Sequence, residues 1–186
     1  MERRNVFTEV KYRRFVYVIV FTAIIYLTLP FARLISEYLR THNLLKHSIY
    51  ILIAVFIVIC CYLIFRYIGY KLINIITILL FFTIYVLIIQ RYDIIVEKLH
   101  FVEYGILSYL IYNSLTEQLS SRLIYPVSFI ILTIIGWVDE IIQYYLPDRF
   151  YDIRDVCLNS LSGCLILILI YIVEKLRDRS FDIGRN

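Results

Sequence analysis

The chain has 186 residues, of which 61% are hydrophobic and 18% charged, and its formal net charge is +4. Its mean hydropathy is +0.78. Soluble domains are about 45–50% apolar and about a quarter charged, so a globule of this length has too little interior for this much apolar surface. The composition therefore excludes a soluble enzyme, a disordered chain and a nucleic-acid-binding module. It predicts an integral membrane protein, for which the lipid bilayer is the expected partner.

Six apolar segments predict an all-α, polytopic membrane helix bundle of about six transmembrane helices. A spanning helix needs about 20 mostly apolar residues, and no ten-residue stretch alternates with the period of two that a β-barrel requires. We expect one membrane domain overall, with a three-span N-terminal segment (1–96), a three-span core (97–176) and a tail (177–186). The segments cover residues 15–34, 48–65, 72–89, 99–115, 122–146 and 155–173.

Lysine and arginine are distributed unevenly over the two faces that six spans create. The N-terminus, the second and fourth loops and the C-terminus carry twelve basic residues, whereas the other three loops carry seven. Cytoplasmic loops are enriched in basic residues. The bias predicts a multi-pass protein of the cell membrane with both termini, including the tail 177–186, in the cytoplasm.

Polar side chains concentrate in the last three segments. In the fourth segment, His100 and Glu103 are three residues apart and therefore share one side of a helix. In the fifth, Asp139, Glu140 and Gln143 are spaced by three and four residues. An acidic side chain at the centre of a span costs about 2.5–3.5 kcal/mol, and such residues usually have partners or a function.

The predicted topology places these residues at one face of the membrane. The start of the fourth segment, the end of the fifth and the start of the sixth all lie on the predicted outer side, together with the loop between the last two. Convergence of so many polar groups is the strongest indication of function in the sequence. The candidate site comprises His100, Glu103, Asp139, Glu140, Gln143, Arg149, Asp152, Asp155 and Asn159.

Several of these residues have a structural alternative. Asp139 and Glu140 point about 100° apart on a helix, so only one of them faces a given cavity squarely. Arg149 either neutralises the carboxylates or holds a phosphate or carboxylate of a ligand. The alternative for Asp152 or Asp155 is the role of N-terminal cap of the sixth helix, where aspartate is favoured.

The same residues resemble two motifs of the VanZ-like family, which is named for a glycopeptide (teicoplanin) resistance protein. The stretch Glu97–Gly105 is similar to the family's K-x-H-F-x-x-Y segment. The residues from Asp139 to Gly163 are similar to its block DE-x-x-Q, R, D-x-x-x-N-x-x-x-G. Ser162 and Ile166 stand where the family often has glycine.

The resemblance covers residues 97–167 and implies a polytopic protein of the cell envelope whose VanZ-like core is the segment 97–176. It implies no mechanism. The first three spans match the family only in hydropathy.

Three functions are compatible with this pattern. In the first, the outer polar cluster binds or modifies an envelope component, such as a lipid-linked cell-wall precursor, a polyprenyl phosphate or a glycopeptide. His100 and Glu140 are then the acid–base candidates if the protein is an enzyme. In the second, the cluster is a non-catalytic scaffold. In the third, the protein is a small-molecule or proton-coupled transporter, although few polar residues continue towards the inner face. The sequence demands no metal and leaves the cofactor unassigned.

Overall fold

The computed structural model describes residues 2–42, 44–91, 95–147 and 149–183, and the secondary structure in these ranges is helical without strands. The predicted all-α membrane bundle is confirmed. Two helices run well beyond the predicted apolar segments, namely the first and the last. The helices are α1 (Glu2–Thr41), α2 (Leu45–Ile68), α3 (Leu72–Gln90), α4 (Ile95–Leu115), α5 (Ile124–Tyr144) and α6 (Ile153–Ile183).

Within the described residues, five helices are long and apolar enough to cross a membrane. The helix α4 is not among them, and its first turns carry Lys98, His100 and Glu103. It packs against α1, α2, α5 and α6, and its contact with α6 is the most extensive in the bundle. The helix α4, with its charged first turns, is therefore packed among helices that are candidate spans, as polar side chains in lipid require. The five spans are Tyr12–Phe31, Leu45–Ile68, Leu72–Gln90, Ile124–Tyr144 and Ile153–Asp178.

The helices α2 and α3 form a tight hairpin at the side of the bundle. Gly69 ends α2 with a positive φ of 79°, and its N–H donates to the Phe65 carbonyl over 2.9 Å. The buried Asn74 amide donates to the carbonyl oxygens of Ile68 (3.0 Å) and Gly69 (3.3 Å). These bonds satisfy helix-end carbonyls that would otherwise lie unpaired in an apolar environment.

Small residues set the spacing between α4, α5 and α6. A Cβ atom added at Gly163 would lie 1.8 Å from Leu132 Cδ2 and 3.4 Å from Ser108 Cβ, while Ser108 Oγ donates to the Gly163 carbonyl over 3.0 Å. A Cβ atom added at Gly105 would lie 3.2 Å from Ile166 Cγ1. Glycine thus permits close approach of α6 to both α4 and α5, as is common in membrane bundles.

The two positions that depart from the family's glycine pattern have partners in this packing. Ser162 Oγ donates to the Phe101 carbonyl, which also accepts from Tyr85 OH at 3.3 Å. Ile166 packs against Gly105, so here the glycine is on the partner helix. At this contact the glycine lies on α4 and the larger residue on α6, so the two helices still approach closely.

At the end of the bundle opposite the candidate site, α1 contacts the end of α4 and the residues that follow it. Arg14 Nη1 donates to the Asn113 carbonyl (3.2 Å) and to Thr116 Oγ1 (2.9 Å), and it lies 3.1 Å from Glu117 Oε1. The start of the first span therefore lies at the same end of the bundle as the loop between α4 and α5.

A second polar contact at that end joins α4, α5 and α6. The Glu174 carboxylate accepts hydrogen bonds from Tyr112 OH and from Tyr125 OH, the latter over 2.7 Å. Residues 177–183 continue α6 beyond this contact. The domain boundaries at 96/97 and 176/177 stay predictions, and α1 and α2 pack directly on α4 across the first of them.

Candidate functional site

The start of α4, the end of α5 and the start of α6 meet at one end of the bundle. His100 of α4 lies close enough to Asp139 of α5 and Asp155 of α6 for their charges to interact, which is called electrostatic range below. Glu140 lies within range of the same histidine and of Asp155. The structure thus brings these four sequence-predicted residues together from three helices.

Glu140 is the best-satisfied carboxylate of the cluster. It is 1% exposed. Its Oε1 accepts from Gln143 Nε2 at 2.9 Å, and its Oε2 accepts from the backbone N–H of Asp152 at 3.2 Å. Through these bonds Glu140 joins the end of α5 to the residue that precedes α6.

Asp139 is equally buried, at 0% exposure, but is poorly satisfied. Its Oδ2 lies 3.5 Å from Gln143 Nε2, and its Oδ1 has no hydrogen-bond partner within the described ranges. The two adjacent carboxylates point in different directions, as expected, yet both face protein because Gln143 lies between them. A buried acceptor without a donor costs about 1–3 kcal/mol, so Oδ1 requires an explanation.

Tyr104 and Asn159 lie beside Asp139 at a point where three helices approach closely. A Cβ atom added at Gly136 would lie 3.3 Å from both Tyr104 Cε1 and Asn159 Cβ. Tyr104 is within electrostatic range of Asp139. The Tyr104 hydroxyl and Asn159 Oδ1 are buried, and neither makes a hydrogen bond of good geometry in the described part of the chain, although the Tyr104 hydroxyl faces the Asp139 carboxylate at short range. Three buried polar atoms of one cluster are therefore unpaired.

His100 and Glu103 form the less buried margin of the cluster. His100 Nδ1 lies 3.2 Å from Glu103 Oε2, as their spacing of three residues predicts, and both side chains retain some exposure. The contact is within ion-pair distance, but its angle does not meet that of a hydrogen bond. These two side chains are the more exposed part of the cluster.

The residues between α5 and α6 have structural roles. Asp152 Oδ1 accepts from the Arg154 backbone N–H at 2.8 Å, which makes Asp152 the cap of α6. Hydrogen bonds from the Arg154 side chain, and then from its backbone, hold the pKa of the Asp152 carboxyl below its usual range. Arg149 lies within electrostatic range of Asp155. The Asp152 side chain thus binds Arg154, and the Asp152 backbone N–H donates to Glu140.

Lys98 is near the cluster in sequence but is engaged elsewhere. It is buried, its Nζ donates to Tyr50 OH at 3.2 Å, and the ammonium lies 5.2 Å from the centre of the Tyr50 ring. The Lys98 ammonium is therefore directed towards Tyr50 of α2.

The candidate site predicted from the sequence omits three residues that border the cluster. Tyr104 has a usable signal, since it follows His100 by four residues. Gly136 has a weaker one, a glycine inside a helical segment three residues before Asp139. Tyr26 of α1 has no signal of this kind in the sequence. It lies within electrostatic range of Asp139, and its hydroxyl donates to the Ile135 carbonyl over 2.8 Å. The first span therefore borders the site.

No group of three or more histidine, cysteine, aspartate or glutamate side chains is arranged to hold a metal ion, among the residues whose positions are described.

A bundle of apolar candidate spans around a polar helix, with a buried polar cluster at one end, is a multi-pass membrane protein. A family model described as VanZ/LLP1 matches residues 14–174, and the chain belongs to this family. The resemblance seen in residues 97–167 is confirmed, and the match extends through α1, α2 and α3. No curated protein and no solved structure matches the chain.

Proposed function

We propose that this protein binds a component of the outer leaflet of the cell envelope at the polar end of α4, α5 and α6, and that this binding contributes to glycopeptide resistance. Membership of the VanZ/LLP1 family supports the link to resistance, because the family resemblance is to a teicoplanin resistance protein. The observation that carries the proposal is the unpaired state of buried atoms in Asp139, Tyr104 and Asn159.

The unpaired atoms favour a binding site over a scaffold. A scaffold network gains stability from satisfied bonds, and Glu140 with its two donors is an example. Leaving a buried polar group without a partner costs about 1–3 kcal/mol. Three such atoms in one cluster form an incomplete network, which a bound polar group completes.

The proposal concerns binding. Both oxygens of Glu140 accept bonds from within the protein, which suits a positioning role better than proton transfer. His100, at the margin with Glu103, is the acid–base candidate if the bound component is also modified.

The proposed location is the cell membrane, with both termini in the cytoplasm. The excess of basic residues on the side of the termini supports this orientation. The Arg14 contacts group the start of the first span with the loop between α4 and α5 at one end of the bundle, as the proposed topology requires, and the polar cluster lies at the other end.

Cysteine labelling tests the orientation. In a variant whose four cysteines are replaced by serine, Phe150→Cys is expected to react with a membrane-impermeant maleimide in intact cells, since Phe150 is 84% exposed at the site end. Ser121→Cys, which is exposed at the opposite end, is expected to react only after permeabilisation. The reverse labelling pattern would place the site in the cytoplasm and contradict the proposal.

Resistance measurements test the site itself. Asp139→Asn removes the charge of the unpaired carboxylate and is expected to weaken ligand binding by tenfold or more, since bonds to charged groups contribute about 1.5–3 kcal/mol. In a glycopeptide-sensitive bacterium that expresses the protein, the variant should give a lower minimum inhibitory concentration of teicoplanin than the wild type at equal membrane abundance. Asp178→Asn, an exposed aspartate at the other end of α6, is the matched control and should behave as wild type.

Tyr104→Phe keeps this test decisive if Asp139→Asn does not accumulate. It removes only a hydroxyl that has no partner among the described residues, so the fold is expected to persist. Reduced resistance in this variant supports a site, whereas unchanged resistance in both variants at normal abundance would contradict the proposed function.

A further inference from the structure

We infer that the group bound at this site is a primary ammonium, carried by an amphiphilic envelope component. The inference rests on the proposed function and names the chemical class of its ligand. It is carried by the charges that surround the cluster and by the kind of hydrogen-bonding atom that is left unpaired.

The charges around the cluster are mainly negative. Glu103, Asp139, Glu140 and Asp155 lie within electrostatic range of one another or of His100. The tyrosines Tyr26 and Tyr104 are the other titratable groups that face Asp139. Four acidic side chains offer no compensating charge to an anion held among them, and little water is present to screen it.

Two of the three nearby cations are directed to other groups. Lys98 contacts Tyr50 of α2, and Arg154 forms its bonds with Asp152. Arg149 lies within range of Asp155 at the edge of the cluster. An anionic ligand such as a phosphate would therefore meet one guanidinium and several carboxylates, whereas a cation would meet compensating charge.

The unpaired atoms include two oxygens that only accept. Asp139 Oδ1 and Asn159 Oδ1 both need a donor, and the third atom, Tyr104 OH, either donates or accepts. Gln143 has already directed its amide group towards Glu140 and Asp139. An ammonium group has three N–H donors and a positive charge. A single group can therefore supply both the missing hydrogen-bond donors and the compensating charge.

The surroundings of the site suit an amphiphile. Trp137 and Ile141 flank the two carboxylates on α5 and are exposed on the outside of the bundle, where lipid would lie. A hydrocarbon chain can lie along this apolar surface while its amine reaches the cluster past His100 and Glu103, which retain some exposure.

Four probes test the inference on the purified full-length protein in phosphatidylcholine nanodiscs, whose lipid lacks a primary amine. Dodecylamine is expected to raise the unfolding midpoint in a saturable manner and to change the fluorescence of Trp137, the single tryptophan. Dodecyltrimethylammonium, which has the charge without N–H donors, should bind at least tenfold more weakly, and dodecyl phosphate should not bind. Ethanolamine at millimolar concentration distinguishes a free amine from a lipid as the source of the ammonium. If ethanolamine competes with dodecylamine, the ammonium belongs to a free amine. If it does not compete, the ammonium belongs to a lipid.

Variants and outcomes complete the experiment. Asp139→Asn is expected to weaken dodecylamine binding about tenfold, the equivalent of 1.4 kcal/mol, while Asp178→Asn leaves it unchanged. Saturable binding of dodecyl phosphate with none of dodecylamine would overturn the inference, as would equal dodecylamine binding by wild type and Asp139→Asn. Absence of amine binding, together with loss of resistance in Asp139→Asn, would overturn the ammonium assignment and leave the proposed function standing.

Discussion

Gly163→Leu is expected to prevent accumulation of the folded protein in the membrane, and Leu132→Ala in the same chain is expected to restore it. A Cβ atom at position 163 would lie 1.8 Å from Leu132 Cδ2 and 3.1 Å from its Cγ. Overpacking of a close-packed interior costs about 1–3 kcal/mol, and the cost rises when the backbones cannot separate. Here the bond from Ser108 to the Gly163 carbonyl holds α4 and α6 together.

Membrane abundance and the unfolding midpoint of the purified protein measure this effect. Cys157→Leu adds the same side chain on an exposed face of α6 and should leave both quantities close to wild type. A single Gly163→Leu variant as abundant and as stable as wild type would show that the three helices do not meet as closely as described. Failure of Leu132→Ala to rescue would show that the clash lies elsewhere.

The elements of the fold could be predicted from the sequence because hydropathy reports burial in lipid. The segment 72–89 corresponds closely to α3 (Leu72–Gln90). The ends of α1 and α6 could not be predicted in this way. The helix α1 runs over Glu2–Thr41 and α6 reaches Ile183. Hydropathy identifies only the part of a helix that faces lipid or core, and these helices continue through charged residues that can face water.

Local spacing predicted part of the site. The contact of His100 with Glu103 follows from a separation of three residues. The bond from the Asp152 backbone to Glu140 does not, because it depends on where the loop returns after α5. The approach of Tyr26 depends on which helix packs beside α5. Such information lies in interhelical packing and has no local sequence signal.

Glu140→Ala is expected to lower the free energy of unfolding by about 2–5 kcal/mol, whereas Glu140→Gln is expected to lower it by less. Alanine removes the acceptor of the partly buried Asp152 backbone N–H and the nearer acceptor of the Gln143 amide, which keeps only its 3.5 Å contact with Asp139. Glutamine keeps one acceptor oxygen and nearly the same volume. Denaturation of the purified variants in nanodiscs measures the difference.

The exposed Glu117 at the opposite end of the bundle provides the control for this comparison. Its pairing with Arg14 is accessible to solvent, so Glu117→Ala should change stability by no more than about 1 kcal/mol. An unfolding free energy for Glu140→Ala equal to that of wild type would contradict the bonds that tie α5 to the start of α6.

The comparison also separates the two adjacent carboxylates. Because Glu140 has both oxygens satisfied and Asp139 has one unpaired, we expect Glu140→Ala to act mainly on stability and Asp139→Asn mainly on resistance. A protein that unfolds when Asp139 is changed and remains stable when Glu140 is changed would reverse this assignment. It would then place the ligand at Glu140 and the scaffold at Asp139, since only a satisfied buried carboxylate adds to stability.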